Sequence, residues 1–142
     1  MHYSELSPEI LPQDLWEEVK EWDSGLDFDS IPEGGVLDAE ALREFRDVLE
    51  DDFDRYIEGF IRNASENVSQ IRKSLEINDF NKLRQVAHPL KGSAAQVGAY
   101  TLSAIAGRCE FLGVKENKAY LEKLVPILED EFNKVRNELR KK

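Results

Sequence analysis

The stretch Gln85–Tyr100, QVAHPLKGSAAQVGAY, decides how this chain folds and what it can do. Leu83, Val86, Leu90, Ala94 and Val97 run through it at three- and four-residue intervals, the period of a helix with one buried face. Pro89 and Gly92 interrupt that pattern on either side of Lys91, directly after His88. In a helix interior a proline costs about 3 kcal/mol and a glycine about 1 kcal/mol relative to alanine. A proline also pushes the preceding residue out of the α region, so one helix could end at Ala87 and another begin with His88 as its cap. The unbroken apolar spacing favours a single helix kinked at Pro89, in which the Gln85 carbonyl loses its usual donor.

The rest of the chain agrees with a helical reading. Asp38 is placed to cap a short helix carrying Leu42, Phe45 and Leu49. Phe53, Ile57, Phe60, Ile61, Ala64, Val68, Ile71 and Leu75 then hold the helical period for about six turns. Asp79 can cap the helix that contains the opening stretch and stops near Gly98. Leu102, Ile105, Ala106, Cys109 and Leu112 predict a further helix ending at Gly113. Tyr120, Leu121, Leu124, Leu128, Phe132, Val135 and Leu139 predict a last one from about Glu116. No segment alternates as a strand does. Four substantial helices with short connections predict an all-α fold, an antiparallel four-helix bundle with additional short N-terminal helices. Residues 1–35 read as an N-terminal extension: PQDLWEEVKEW places Leu15, Val19 and Trp22 on one face of a short amphipathic helix, followed by a turn-rich connector. Residues 36–142 make the bundle.

Composition narrows the function. The chain has 142 residues, 41% of them hydrophobic and 34% charged, which suits one soluble domain. A formal net charge of −10 argues against nucleic acid, whose phosphates need a basic surface. Charge is unevenly spread, with 19 acidic and 4 basic side chains in residues 1–60 against 10 acidic and 15 basic in 61–142. No apolar run is long enough for a membrane span, and no basic-then-apolar leader opens the chain, so a cytoplasmic monomer is the expectation. The single cysteine, Cys109, excludes an internal disulfide and a zinc–thiolate cluster; on an apolar stripe it reads as a buried small hydrophobe. A di-metal bundle enzyme would need Glu-x-x-His pairs, and position 85 is Gln. No metal site is expected.

The face around His88 is polar or small: Arg84 and Gln85 precede it, Lys91 and Gly92 follow, then Ala95 and Gln96. A solvent-facing neutral imidazole is a competent nucleophile toward phosphorus. Lys91, one turn on, is placed to balance phosphoryl oxygens. Gly92 leaves room for another protein's backbone, which gives its stability cost a purpose.

AHPLKGSAAQVGA, Ala87–Ala99, followed by L...A..CE.LG in the next helix, closely resembles the signature A-H-x-L-K-G-S-x-x-x-G-A of the histidine-containing phosphotransfer (HPt) domain family. The similarity extends weakly through LDAEALREF and LEDEFNKVRNEL, so it covers roughly Val36 to Leu139. The resemblance implies a four-helix bundle whose exposed histidine takes a phosphoryl group from an aspartyl phosphate on a receiver domain and passes it to another receiver. On this chain that makes His88 the phosphorylated residue, Lys91 the nearby cation and Gly92 the residue that admits the partner. Gln96, with Arg84, Gln85 and Ala95, would border the docking surface. The partners implied are response-regulator receiver domains, among them that of a hybrid histidine kinase. Such a carrier needs no cofactor of its own, because Mg2+ and the catalytic carboxylates sit on the receiver. Consistent with this, the sequence has neither a P-loop nor a kinase glycine-rich motif. A bundle that only binds a receiver, without transfer, is the alternative; a pure adaptor has no need of the imidazole.

Overall fold

A computed structural model describes residues 36–141; the expected helix over residues 12–22 lies outside the described residues. Helix α1 spans Ala39–Leu49, and a 3-10 turn, Glu50–Asp52, leads into α2, Phe53–Glu76. Then come α3, Phe80–Gln96, α4, Tyr100–Val114, and α5, Lys118–Arg140. Asp38 and Asp79 cap as the sequence predicts: the Ala41 N–H donates to Asp38 at 3.1 Å, and the Lys82 N–H to Asp79 at 3.0 Å. Asn117 does the same for α5 through the Tyr120 N–H, at 3.1 Å. Each cap satisfies a donor that the first helical turn cannot.

Three-residue corners, 77–79, 97–99 and 115–117, join the four long helices and so make sequence neighbours antiparallel. Each helix packs on the next, and α5 closes the ring against α2. Each corner turns through a left-handed residue: Asn78 at φ 61°, Gly98 at φ 81° and Glu116 at φ 52°. Gly98 is required twice over. The Asp38 N–H donates to its carbonyl at 2.9 Å, and a Cβ there would sit 3.1 Å from the Asp38 oxygen. That contact ties the start of α1 to the α3–α4 corner.

The core is the apolar stripe of each helix. Ile71, Leu83, Leu90, Leu102, Leu112, Leu121, Leu124 and Leu128 are wholly buried, each worth about 1.5–3 kcal/mol before ordering entropy is subtracted. Helix α3 is continuous across Pro89, so the break at Ala87 does not occur. A second proline, Pro126, lies inside α5.

Two expectations change. Helix α4 runs past Gly113 to Val114, because Lys115 and Glu116 provide the stop. It is also buried all round from Leu102 to Cys109, the polar Ser103 and Arg108 included, rather than along one stripe. Its small residues, Ala104, Ala106 and Gly107, permit such close approach. Cys109 is buried as expected, and burial pushes its thiol up to about 12, which leaves it no nucleophile at neutral pH.

Candidate functional site

The bundle buries Leu83, Val86, Ala87, Leu90 and Ala94 of α3, which turns the opposite face outward. His88 stands near the middle of that face with its side chain 68% exposed. Its ring is nonetheless held. Nδ1 lies 2.8 Å from Oε2 of Glu110 on α4, and the other oxygen of that carboxylate accepts from Lys91 Nζ at 3.0 Å. Glu110 is 18% exposed, so one half-buried carboxylate bridges the histidine and the lysine one turn further on. In a neutral ring the nitrogen facing the carboxylate carries the proton, and Nε2 keeps the lone pair. Held this way, a neutral ring would leave Nε2, not Nδ1, as the nitrogen able to attack an electrophile.

Gly92 lies one turn beyond His88, exposed, and a Cβ built on it meets nothing within 4 Å. Close packing therefore does not explain this glycine. Gln96 is exposed two turns on and accepts from the Tyr56 hydroxyl of α2 at 2.8 Å. Burial raises the Tyr56 phenol above its ordinary range, which keeps it the donor, and its ring meets Phe45 of α1 edge-on at 4.8 Å. Ala95, the residue before Gln96, is half-buried. Arg84 and Gln85 are exposed on the other side of His88; the Arg84 guanidinium turns back to Asn81 of its own helix at 2.7 Å. The structure thus joins His88 to Lys91 through Glu110 and ties Gln96 to α2, whereas Arg84 turns away from the imidazole.

Glu110 was not singled out from the sequence. A signal for it existed: His88 and Glu110 lie equally far on either side of Ala99, at the corner where α3 turns into α4. In an antiparallel pair joined by so short a corner, such residues face each other. Among the described residues no group of three or more His, Cys, Asp or Glu side chains could hold a metal ion. No helix among them is long and apolar enough to cross a membrane.

An antiparallel four-helix bundle carrying one exposed, oriented imidazole on a helix face defines the class. Residues 55–138 match the family model described as the Hpt domain, more than half of the chain, and the chain belongs to that family. Histidine-containing phosphotransfer protein B of Pseudomonas aeruginosa PAO1 has a similar structure: TM-score 0.70 and 25% identity, covering 72% of this chain and 90% of that one. A histidine-containing phosphotransfer protein from maize shares the fold at TM-score 0.68 and 20% identity, covering 87% of this chain and 94% of that one. No curated protein matches the chain.

Proposed function

We propose that the chain is a phosphorelay carrier in which His88 accepts a phosphoryl group from the aspartyl phosphate of a response-regulator receiver and hands it to a second receiver. The observation that carries this reading is the exposed imidazole whose Nδ1 is held by Glu110 on the face of an Hpt bundle. The Nε2 lone pair attacks phosphorus, the Nε2–P bond forms, and the P–O bond to the receiver aspartate breaks with its electron pair returning to that carboxylate. The ring gains positive charge while its proton stays on Nδ1, where the Glu110 carboxylate stabilises it. Phosphoryl transfer asks chiefly for positioning and electrostatic stabilisation, so Mg2+ and the remaining catalytic groups come from the receiver. Gly92 admits the partner's backbone beside the ring, with Gln85, Ala95 and Gln96 bordering the contact.

The test is incubation with a phosphorylated receiver. Label should appear on the chain, survive base and be lost in acid, as phosphohistidine requires. It should be absent from His88→Gln. Label on the His88→Gln protein would overturn the assignment.

A further inference from the structure

Gln96 is the last residue of α3, exposed at the border of the His88 face and two turns, about 12 Å, beyond the imidazole. A carboxamide has a donor end and an acceptor end of nearly the same shape, and an exposed one offers either. Here one end is taken. The Tyr56 hydroxyl of α2 donates to Oε1 at 2.8 Å, which leaves the two N–H donors of Nε2 for another group. The phenol is supported in turn. Its ring stands edge-on to Phe45 of α1 at 4.8 Å, and Phe45 meets Phe53 edge-on at 6.3 Å. Helix α1 buries none of its own residues, so the core is not what it chiefly serves. Two of its contacts end at the same place, the C-terminal end of α3. One reaches Gln96 through Tyr56, and the other is the Asp38 N–H donating to the Gly98 carbonyl at 2.9 Å.

We propose that Tyr56 is a positioning residue that makes Gln96 a donor-only contact, and that the docking partner meets it with a main-chain carbonyl. Without the hydroxyl the carboxamide would present oxygen or nitrogen alike, and ordering it would fall on the docking step. With it, the amide is turned before the partner arrives. Burial holds the Tyr56 phenol protonated, so its proton stays available to Oε1. Charge selects the class of acceptor. Residues 36–60, which supply Tyr56 and its support, hold nine acidic and three basic side chains and would repel a carboxylate. A main-chain carbonyl accepts the N–H without that penalty. A partner that brings its own N–H to this position would set donor against donor, so the contact discriminates among receivers as well as binding one.

The docking half rests on the carrier reading above; the Tyr56–Gln96 half does not. The experiment compares the native chain with Tyr56→Phe, Gln96→Ala, the double variant and Gln96→Glu. Tyr56→Phe keeps the ring against Phe45 and removes only the hydroxyl. Side-chain 15N relaxation of the Gln96 amide, assigned against Gln96→Ala, reads its order with no partner present. Transfer from a receiver domain phosphorylated by acetyl phosphate, followed at rising receiver concentration, gives the half-saturating concentration and the rate at saturation. Tyr56→Phe should lower the amide order and raise the half-saturating concentration roughly fivefold, the size of one hydrogen bond, with the rate at saturation near native. Once Gln96 is alanine, adding Tyr56→Phe should raise it no further. Gln96→Glu should raise it roughly tenfold, because the carboxylate still accepts from Tyr56 but has no donor for the partner. Equal effects of Tyr56→Phe in both Gln96 backgrounds, or an amide as ordered without the hydroxyl as with it, would overturn the proposal. Native half-saturation in Gln96→Glu would overturn it too, since the partner would then be supplying the donor. If the native chain accepts no phosphoryl at all, the carrier reading fails, and the amide order alone decides whether Tyr56 positions Gln96.

Discussion

Gly92 and Gly98 stand six residues apart in one short stretch and answer to opposite constraints. At Gly92 the backbone is helical and an added Cβ would find open space. At Gly98 the backbone is left-handed, at φ 81°, and a Cβ would press on the Asp38 carbonyl at 3.1 Å. Gly113 is a third case, where a Cβ would come within 3.2 Å of Leu83. The left-handed backbone calls for glycine at Gly98, and an added Cβ at Gly113 would need Leu83 to shift, whereas no contact among the described residues calls for a glycine at Gly92. A residue that weakens its helix and fills no such internal need is the one to test for a role at a partner surface.

That contrast can be tested at several strengths. The largest effect should come from the residue the open face serves: His88→Gln should abolish phosphoryl acceptance, while urea unfolding monitored by circular dichroism stays that of the native chain. A parallel collapse of the fold would show that the face is structural after all. Gly92→Gln should slow transfer roughly hundredfold, the cost of holding reacting atoms about an ångström out of place. The same substitution should leave stability unchanged or raised by up to about 1 kcal/mol, since the helix gains a residue better than glycine. Normal transfer kinetics in that variant would remove the access argument.

Gly98→Ala should do the reverse. It should lower stability by about 1–2 kcal/mol, the penalty for an ordinary residue in the left-handed region, and leave the transfer rate near native once the protein is folded. Chemical denaturation and single-turnover transfer on one preparation separate the two glycines cleanly.

The smallest effect concerns two carboxylates. Glu110 is held between two nitrogens, whereas Glu131 of α5 is buried, and desolvation raises its carboxyl above the ordinary 4.5 despite the opposing charge of Lys134. The folded state therefore holds the Glu131 proton more tightly than the unfolded state does. Its contribution to stability is complete below 4.5 and is lost as pH rises through the raised folded value. Glu131→Gln, permanently neutral, should flatten that part of the stability–pH curve and raise stability at neutral pH. Unfolding midpoints measured across the acid-to-neutral range decide it; a curve identical to the native one would mean that Glu131 pays no desolvation cost.

Much of this architecture was legible in the sequence, and for identifiable reasons. Helix periods and the Asp38 and Asp79 caps are local matters, set within a turn or two, and they stand where the spacing put them. The exposure of His88 followed from the polar face around it. The carboxylate behind the imidazole did not, because the His88–Glu110 contact depends on how α3 lies against α4, and no residue near His88 in sequence announces it. The burial of α4 on all sides was hidden by its small residues, which mark close approach without saying from which direction. The last corner escaped a glycine-based stop at Gly113, since Glu116 takes the left-handed conformation that a glycine or asparagine would have signalled.

The short corners have a further consequence, in the time domain. With three residues between successive long helices, most packing partners are also neighbours along the chain, and the seam of α5 against α2 is where the ends of the bundle must find each other. Contact order of this kind places helical bundles among the faster folders, in the microsecond-to-millisecond range. Loop closure at each corner costs little, and the large entropic step is left to the final closing of the ring. The α3–α4 hairpin carries His88, Lys91 and Glu110 within one local unit. The contacts that hold the imidazole can therefore form as soon as that hairpin does, before the ring is complete.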